Sequence, residues 1–119
     1  QKPPLKKYND TKRILEILSN MTEMTISALA ESSMDKAKEA HGMDKEIDDL
    51  YEQIQRELLT YMMEDKNTIT TATKLLSVAR NLERLGDHLE NVNEHIMFWL
   101  TSERIEGYPD WGKKWKVRG

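Results

Sequence analysis

The stretch ARNLERLGDHLENVNEH, residues 79–95, decides the fold of this chain. Small or apolar residues recur there in alternating steps of four and three, the spacing of a buried helix seam in an antiparallel bundle. The spacing continues on both sides and predicts one helix over about residues 70–101. The full predicted seam is Leu75, Ala79, Leu82, Gly86, Leu89, Asn93, Ile96 and Leu100.

Two features inside this stretch are unfavourable for an isolated helix. Glu83 and Asp87 lie four residues apart, and like charges at that spacing repel by a few tenths of a kcal/mol. Gly86 lies between them, and glycine in a helix interior costs about 1 kcal/mol relative to alanine. We therefore expect that something packed or bound at this position compensates for both.

Two further helical patterns precede this segment, over about residues 8–40 and 44–63. Gly42 is expected to cap the first helix, which places Asp44 near the start of the second. The predicted seams are Ile14, Leu18, Met21, Thr25 and Ala28 in the first helix, and Ile47, Leu50, Ile54, Leu58 and Tyr61 in the second.

A polar connection follows the second helix, with Asn67 or Thr68 as the expected N-cap of the third. No alternating strand pattern is bounded by turn residues anywhere in the sequence. The sequence therefore predicts an all-α fold, an up-down-up antiparallel three-helix bundle over residues 8–103.

The two ends differ from this body. Pro3 and Pro4 disfavour a helix, so residues 1–7 are expected to form an extended lead-in. Residues 104–119 place glycine, proline, Trp111 and Trp115 among basic residues. This composition predicts an irregular tail whose tryptophans fold back on the bundle, with docking on a partner as the alternative.

Composition limits the class of protein. The chain of 119 residues is long enough for one domain, and it has no cysteine, which excludes disulfides and thiolate metal sites and favours a reducing cytoplasm. Residues 14–103 hold 18 acidic against 8 basic residues, a net charge of −10. Such an acidic body argues against non-specific binding to nucleic acid. No apolar run is long enough to span a membrane.

Two acidic pairs are candidate metal ligands: Asp44 with Asp48, and Glu83 with Asp87. Spacing of i, i+4 places both carboxylates of a pair on one helix face, and two such pairs on adjacent helices would form an all-oxygen site for a hard cation. Asn91 and Glu94 continue the stripe on the third helix as additional ligands or supports.

Simpler roles remain open for each pair. Asp44 could complement the dipole of a helix N-terminus, whereas the other pair could form ion pairs with Arg80 or Arg84, which could also bind a partner. His41, His88 and His95 form no Glu-x-x-His signature of di-iron bundles. No phosphate-binding glycine loop or nucleophile elbow occurs, so the sequence gives no indication of catalysis.

The quoted stretch closely resembles the signature helix of the PhoU family of phosphate-signalling proteins, roughly Ala-Arg-x-Ile/Leu-Glu-Arg-Ile-Gly-Asp-x-x-x-Asn-Ile-x-Glu. The segment MDKEIDDL, residues 43–50, is similar to the family's acidic motif Glu/Asp-x-x-x-Asp. LLTYMMED, residues 58–65, and WLTSE, residues 99–103, also resemble its second repeat. The matching signature positions are Arg80, Glu83, Arg84, Gly86, Asp87, Asn91 and Glu94.

The resemblance implies an all-helical protein whose acidic motifs bind multinuclear clusters of iron, zinc or another metal. It implies a non-catalytic, cytoplasmic adaptor that reaches the membrane only through its partners. Those partners would be the ATPase of a high-affinity phosphate transporter and a sensor histidine kinase. The adaptor would keep the phosphate-starvation response switched off when phosphate is plentiful.

The usual family member has two three-helix repeats, whereas this sequence contains one. It is therefore expected to be a half, a fragment, or a single-repeat relative that pairs with itself as a homo-oligomer. Two other classes stay open: a helical interaction module without metal, and a metal-dependent enzyme on a helical bundle. Stoichiometric metal would distinguish the first class from the adaptor, and turnover would be required for the second.

Overall fold

Three long helices form the molecule. The computed structural model describes the backbone of residues 5–106 and the side chains of residues 9–102. Helix α1 spans Leu5–Glu31, α2 spans Met34–Glu64, and α3 spans Ile69–Glu106, with a single 3₁₀ turn at Lys66–Thr68 before α3. Short connections force neighbouring helices to run antiparallel, so the predicted up-down-up three-helix bundle is confirmed, and no strand occurs in the described residues.

The predicted seams form the core. Each helix turns one stripe inwards, and the remaining residues of that helix are mostly polar and solvated, which is the pattern of an amphipathic bundle helix. The core extends along the whole described bundle. Its buried apolar members include Ile14, Met21 and Ala28 from α1, Ile47, Ile54 and Leu58 from α2, and Ala79, Ile96 and Leu100 from α3.

The break between α1 and α2 was predicted in the wrong place. The chain turns at Ser32, whose φ of 52° lies in the left-handed region, and at Ser33. The Ser33 side chain accepts a hydrogen bond of 3.1 Å from the Lys36 backbone N–H, which is an N-cap, and the Ser33 N–H donates to the Ala28 carbonyl at 2.9 Å. One of these hydrogen bonds caps the end of α1 and the other caps the start of α2, so a connection of two residues separates the helices.

Gly42 therefore lies inside α2 and caps nothing. It is exposed, and a Cβ added to it would meet nothing within 4 Å, so the helix continues through it at the cost of glycine's propensity alone. As a result Asp44 lies in the third turn of α2 rather than at an N-terminus. The helix-dipole role suggested for Asp44 is wrong.

The ends of the helices also differ from the prediction. Residues 5–7 belong to α1 rather than to an extended lead-in, and α3 continues to Glu106. Before α3, Asp65 caps the 3₁₀ turn by accepting from the Asn67 N–H at 2.9 Å. The tail with Trp111 and Trp115 lies outside the described residues. Within the described part of the chain, no helix is both long and apolar enough to cross a membrane.

Candidate metal centre

Helices α2 and α3 approach each other at Gly86. A Cβ at this position would lie 2.5 Å from Asp44 Oδ1 and 3.2 Å from Ile47 Cδ1 on α2, so any larger residue would collide with the facing helix. Glycine at this position thus leaves the space that the Asp44 carboxyl occupies. The close approach of α2 gives a steric reason for a residue of low helix propensity in the middle of α3.

Asp44 is a carboxyl group in the core. Only 1% of the residue is exposed, and its Oδ1 has no hydrogen-bond partner among the described residues. Burial, together with the charges of Asp48, Glu90 and Asp87, raises the pKa of Asp44 to about 8. A buried carboxylate without a donor is costly, so this oxygen requires either a proton or a cation.

The other predicted carboxylates converge around Asp44. Oxygens of Asp48, Glu83 and Asp87 lie within 4.8 Å of one another, and so do those of Asp44, Asp87 and Glu90. All four predicted metal ligands are therefore brought together in one groove between α2 and α3. We call this the acidic groove; it consists of Asp44, Asp48, Glu83, Asp87 and Glu90.

Crowding of like charges in the acidic groove also affects Glu83. Its partial burial, a hydrogen bond shared with Asp48 and the charge of Asp87 raise its pKa to about 7. Asp87 is exposed and lies beside the Gly86 seam. Carboxylate oxygens in this number and at these separations are the donor set that Mg²⁺, Mn²⁺, Ca²⁺ or iron takes in proteins, so the residues fit a metal cluster.

One histidine extends the acidic groove. His41, one turn before Asp44 on α2, places Nε2 3.0 Å from Glu94 Oε2 and 3.5 Å from Glu90 Oε2 on α3. Glu94 therefore lies beside the acidic groove, and Asn91 on the same helix is exposed. Sequence reasoning missed His41 and Glu90.

The arginines of the signature do not neutralise the groove. Arg80 and Arg84 are exposed, and across residues 9–102 neither forms an ion pair with a carboxylate. The expected pairing of Glu83 and Asp87 with these arginines is therefore wrong. Both guanidinium groups remain accessible on the surface of α3.

The amino-acid sequence matches a known protein family. The model of the PhoU domain family matches residues 11–96. The chain is 47% identical over 104 residues to a phosphate-specific transport system accessory protein PhoU homolog of Deinococcus radiodurans, a match that covers 87% of the chain and 49% of the relative.

Two further relatives carry the same name. The Caulobacter vibrioides protein is 42% identical over 93 residues, covering 78% of the chain and 40% of the relative. Homolog 2 of Thermotoga maritima is 33% identical over 110 residues, and the match covers 92% of the chain and 47% of the relative. The chain thus spans about half the length of the curated relatives it matches. No solved structure gives a significant match.

Proposed function

The chain belongs to the PhoU family, and from this premise we propose that it is a metal-binding regulatory adaptor of phosphate homeostasis. It would link the high-affinity phosphate transporter to a sensor histidine kinase and restrain the phosphate-starvation response when phosphate is abundant. The names of the relatives, accessory proteins of the phosphate-specific transport system, support the part of the proposal that concerns phosphate. The adaptor acts in the cytoplasm and catalyses no reaction.

The observation that carries the metal part of the proposal is the buried Asp44 carboxyl. Its Oδ1 has no donor among the described residues, and the carboxylates of Asp48, Asp87 and Glu90 lie around it. Glu83 lies beside Asp48 and Asp87. Asp44, Asp48, Glu83 and Asp87 would hold the ions, with Glu90 beside them. A bound cation would relieve the repulsion among these groups and tie α2 to α3; iron or zinc are the ions proposed.

Partners would meet the exposed faces of the bundle. Val78, Leu85 and Val92 repeat every seven residues along α3 and are each about half exposed, with 48%, 52% and 44% of their surface accessible. Since the curated relatives are about twice as long, a second copy of the chain would supply a comparable second bundle on this stripe. The accessible Arg80 and Arg84 would contact an acidic surface of the kinase or of the transporter ATPase.

The test of the metal part is elemental analysis of the purified, tag-free chain before and after dialysis against a chelator. We expect near-stoichiometric metal in the parent protein, and its loss in the double variant Glu83→Gln with Asp87→Asn, which should fold as well as the parent or better because like charges are removed. Asp35→Asn with Glu39→Gln is the matched control, because it removes an exposed i, i+4 acidic pair of α2 outside the acidic groove.

Two outcomes would contradict the metal assignment: metal content in the Glu83/Asp87 variant equal to that of the parent, or equal loss in the control. Binding of the chain to the transporter ATPase and to the sensor kinase from the same genome, measured by surface plasmon resonance, tests the adaptor role. No detectable binding to either protein would refute that role.

A further inference from the structure

The apolar core of the bundle is divided into two clusters. The larger cluster holds the longest buried apolar side chains, which are Ile14, Met21, Ile47, Ile54 and Leu58. The smaller cluster consists of Ala28, Ala37, Ile96 and Leu100, with Met34, Met97 and Trp99 packed against it. It lies at the end of the bundle where α1 turns into α2. We call this part the turn end; it consists of residues 26–39 and 94–102.

A polar layer separates the two clusters on α1 and α3. Thr25 and Asn93 are 7% and 0% exposed, and Asn93 Nδ2 donates to Thr25 Oγ1 at 2.8 Å. On α1, Thr25 lies between Met21 of the larger cluster and Ala28 of the smaller one. Cooperative units of a fold follow contiguous packing, so a polar layer across the core marks a boundary between two units.

The core of the turn end is also thin. Two of its four buried members are alanines, which bury much less apolar area than the isoleucine and leucine side chains of the larger cluster. Large apolar side chains at this end remain in solvent, since Ile26, Leu29 and Phe98 are 62%, 53% and 69% exposed. The turn end therefore gains less hydrophobic stabilisation than the rest of the bundle.

Two backbone features weaken the same end. Ser32, in the connection between α1 and α2, has a φ of 52°, a left-handed conformation that is unfavourable for a residue with a Cβ. Gly42 lies inside α2, three residues beyond the turn end, and its low helix propensity makes α2 easier to interrupt there. A Cβ at Gly42 would meet nothing within 4 Å, so tight packing does not hold α2 at this point.

We propose that the turn end opens as one unit while the rest of the bundle stays folded, with the layer of Thr25 and Asn93 as the boundary. Opening exposes Ile96 and Leu100, which are buried in the closed bundle, and so presents an apolar surface that a partner can select. The acidic groove lies outside the turn end and remains in place. The proposal does not rest on a role in phosphate signalling.

The test is native-state hydrogen exchange, followed by NMR on the metal-free, tag-free full chain at low concentrations of urea. We expect the slowest amides of residues 26–31, 34–39 and 94–102 to exchange at least tenfold faster than the slowest amides of residues 14–21 and 47–58. The three segments of the turn end should share one protection factor. Their exchange should depend little on urea, because a local opening exposes little surface.

Gln53→Gly tests whether the turn end opens on its own. Residue 53 is exposed on α2 outside the turn end, and the loss of helix propensity should speed exchange of the slowest amides of residues 14–21 and 47–58 about threefold. Exchange at the turn end should stay the same, because position 53 remains helical in the open form. Lys38→Gly is the matched control at an exposed position inside the turn end, and it should speed exchange in all three segments of that end.

Thr25→Val with Asn93→Leu tests the boundary. Replacing the polar layer by apolar side chains joins the two clusters, so exchange at the turn end should slow at least tenfold. The two glycine variants decide the question even if this double variant does not fold. The proposal is refuted if Gln53→Gly speeds exchange equally in both parts of the bundle, or if Lys38→Gly changes exchange in α2 alone. It is also refuted if the slowest amides of the turn end are as protected as those of the larger cluster.

Discussion

Polar groups are buried at two positions of the α3 seam, Gly86 and Asn93, which lie seven residues apart. Their hydrogen bonding differs. At Asn93, the side-chain amide donates to Thr25 Oγ1 on α1 at 2.8 Å and to the Leu89 carbonyl at 2.9 Å. Thr25 in turn donates to the Met21 carbonyl at 2.7 Å. At Gly86, the polar group comes from α2 as the Asp44 carboxyl, whose Oδ1 has no partner among the described residues.

The Asn93 amide has a structural role, whereas the Asp44 carboxyl is available to bind a proton or a cation. The Asn93 contact is neutral and joins α1 to α3 with hydrogen bonds made by the chain itself, although its Oδ1 is also buried without a partner in the described part of the chain. The Asp44 side chain is ionisable and lies near three further carboxylates, those of Asp48, Asp87 and Glu90. The Asp44 carboxyl needs a proton or an ion from solution. The stability of the α2–α3 contact therefore depends on pH and on metal, whereas that of the α1–α3 contact does not.

The largest effect that distinguishes the two positions should be the pH dependence of the metal-free protein. The native pKa of Asp44, about 8, exceeds its ordinary value of 3.8, so between these values the folded chain binds a proton that the unfolded chain releases. The free energy of unfolding should therefore fall by about 1.4 kcal/mol per pH unit as pH rises from about 4 to 8, on the order of 6 kcal/mol in total. Glu83, with a pKa of about 7, acts in the same direction.

Urea denaturation with chelator at pH 5, 6, 7 and 8 measures this slope. Asp44→Asn should flatten the slope and stabilise the metal-free protein near pH 8, whereas Asn93→Ala should keep the parental slope. An Asp44→Asn variant with an unchanged slope would show that Asp44 is ionised in the native state.

A smaller effect is expected at the neutral position. Asn93→Ala removes two hydrogen bonds and leaves a cavity, so it should lower the free energy of unfolding by about 2 kcal/mol at every pH. Thr25→Val, which keeps the shape of the side chain and deletes its hydroxyl, should cost less. Both variants should bind metal like the parent, as titration would show. Metal binding weakened tenfold in either variant would mean that the two positions are coupled.

The smallest of the three effects concerns Gly86. Gly86→Ala gains about 1 kcal/mol of helix propensity but forces the Asp44 carboxyl to move, a steric cost of about 1–3 kcal/mol, so a modest net loss of thermal stability is expected. Gly42→Ala is the matched control in open space and should gain up to about 1 kcal/mol. In the Asp44→Ala background the loss from Gly86→Ala should disappear; persistence of the full loss would locate the clash elsewhere.

The seams of the helices could be predicted because the four-three spacing encodes burial directly, and the residues on those seams are buried or partly buried. The predicted α1–α2 boundary is wrong because a glycine after a periodic run is the usual signal of a helix C-terminus, and Gly42 carries that signal inside α2. The four-three spacing of the seam continues without a break through Gly42, at Ala37, Ala40, Asp44 and Ile47. This spacing indicates a helix that does not end at Gly42. Ser33, a strong N-cap residue, marks the true start of α2.

The predicted helix break at Gly42 also kept His41 and Glu90 out of the predicted site. Once α2 is continuous, Asp44 lies on the seam, and His41 lies one turn away on the face that meets α3. Glu90 follows Glu83 by seven residues and could have been assigned to the same face on that ground. The raised pKa values could not be derived from spacing, because they depend on how closely α2 and α3 approach at Gly86.

The continuity of α2 through Gly42 has a consequence for which ion the protein carries. Every groove residue projects from an uninterrupted helix, so there is no loop in the groove that could close around an ion of one radius. Ions of different size would be fitted by side-chain rotation alone, which discriminates weakly among divalent metals. We therefore expect the metal held in the acidic groove to follow the supply in the cell, so that its identity records which metal is abundant.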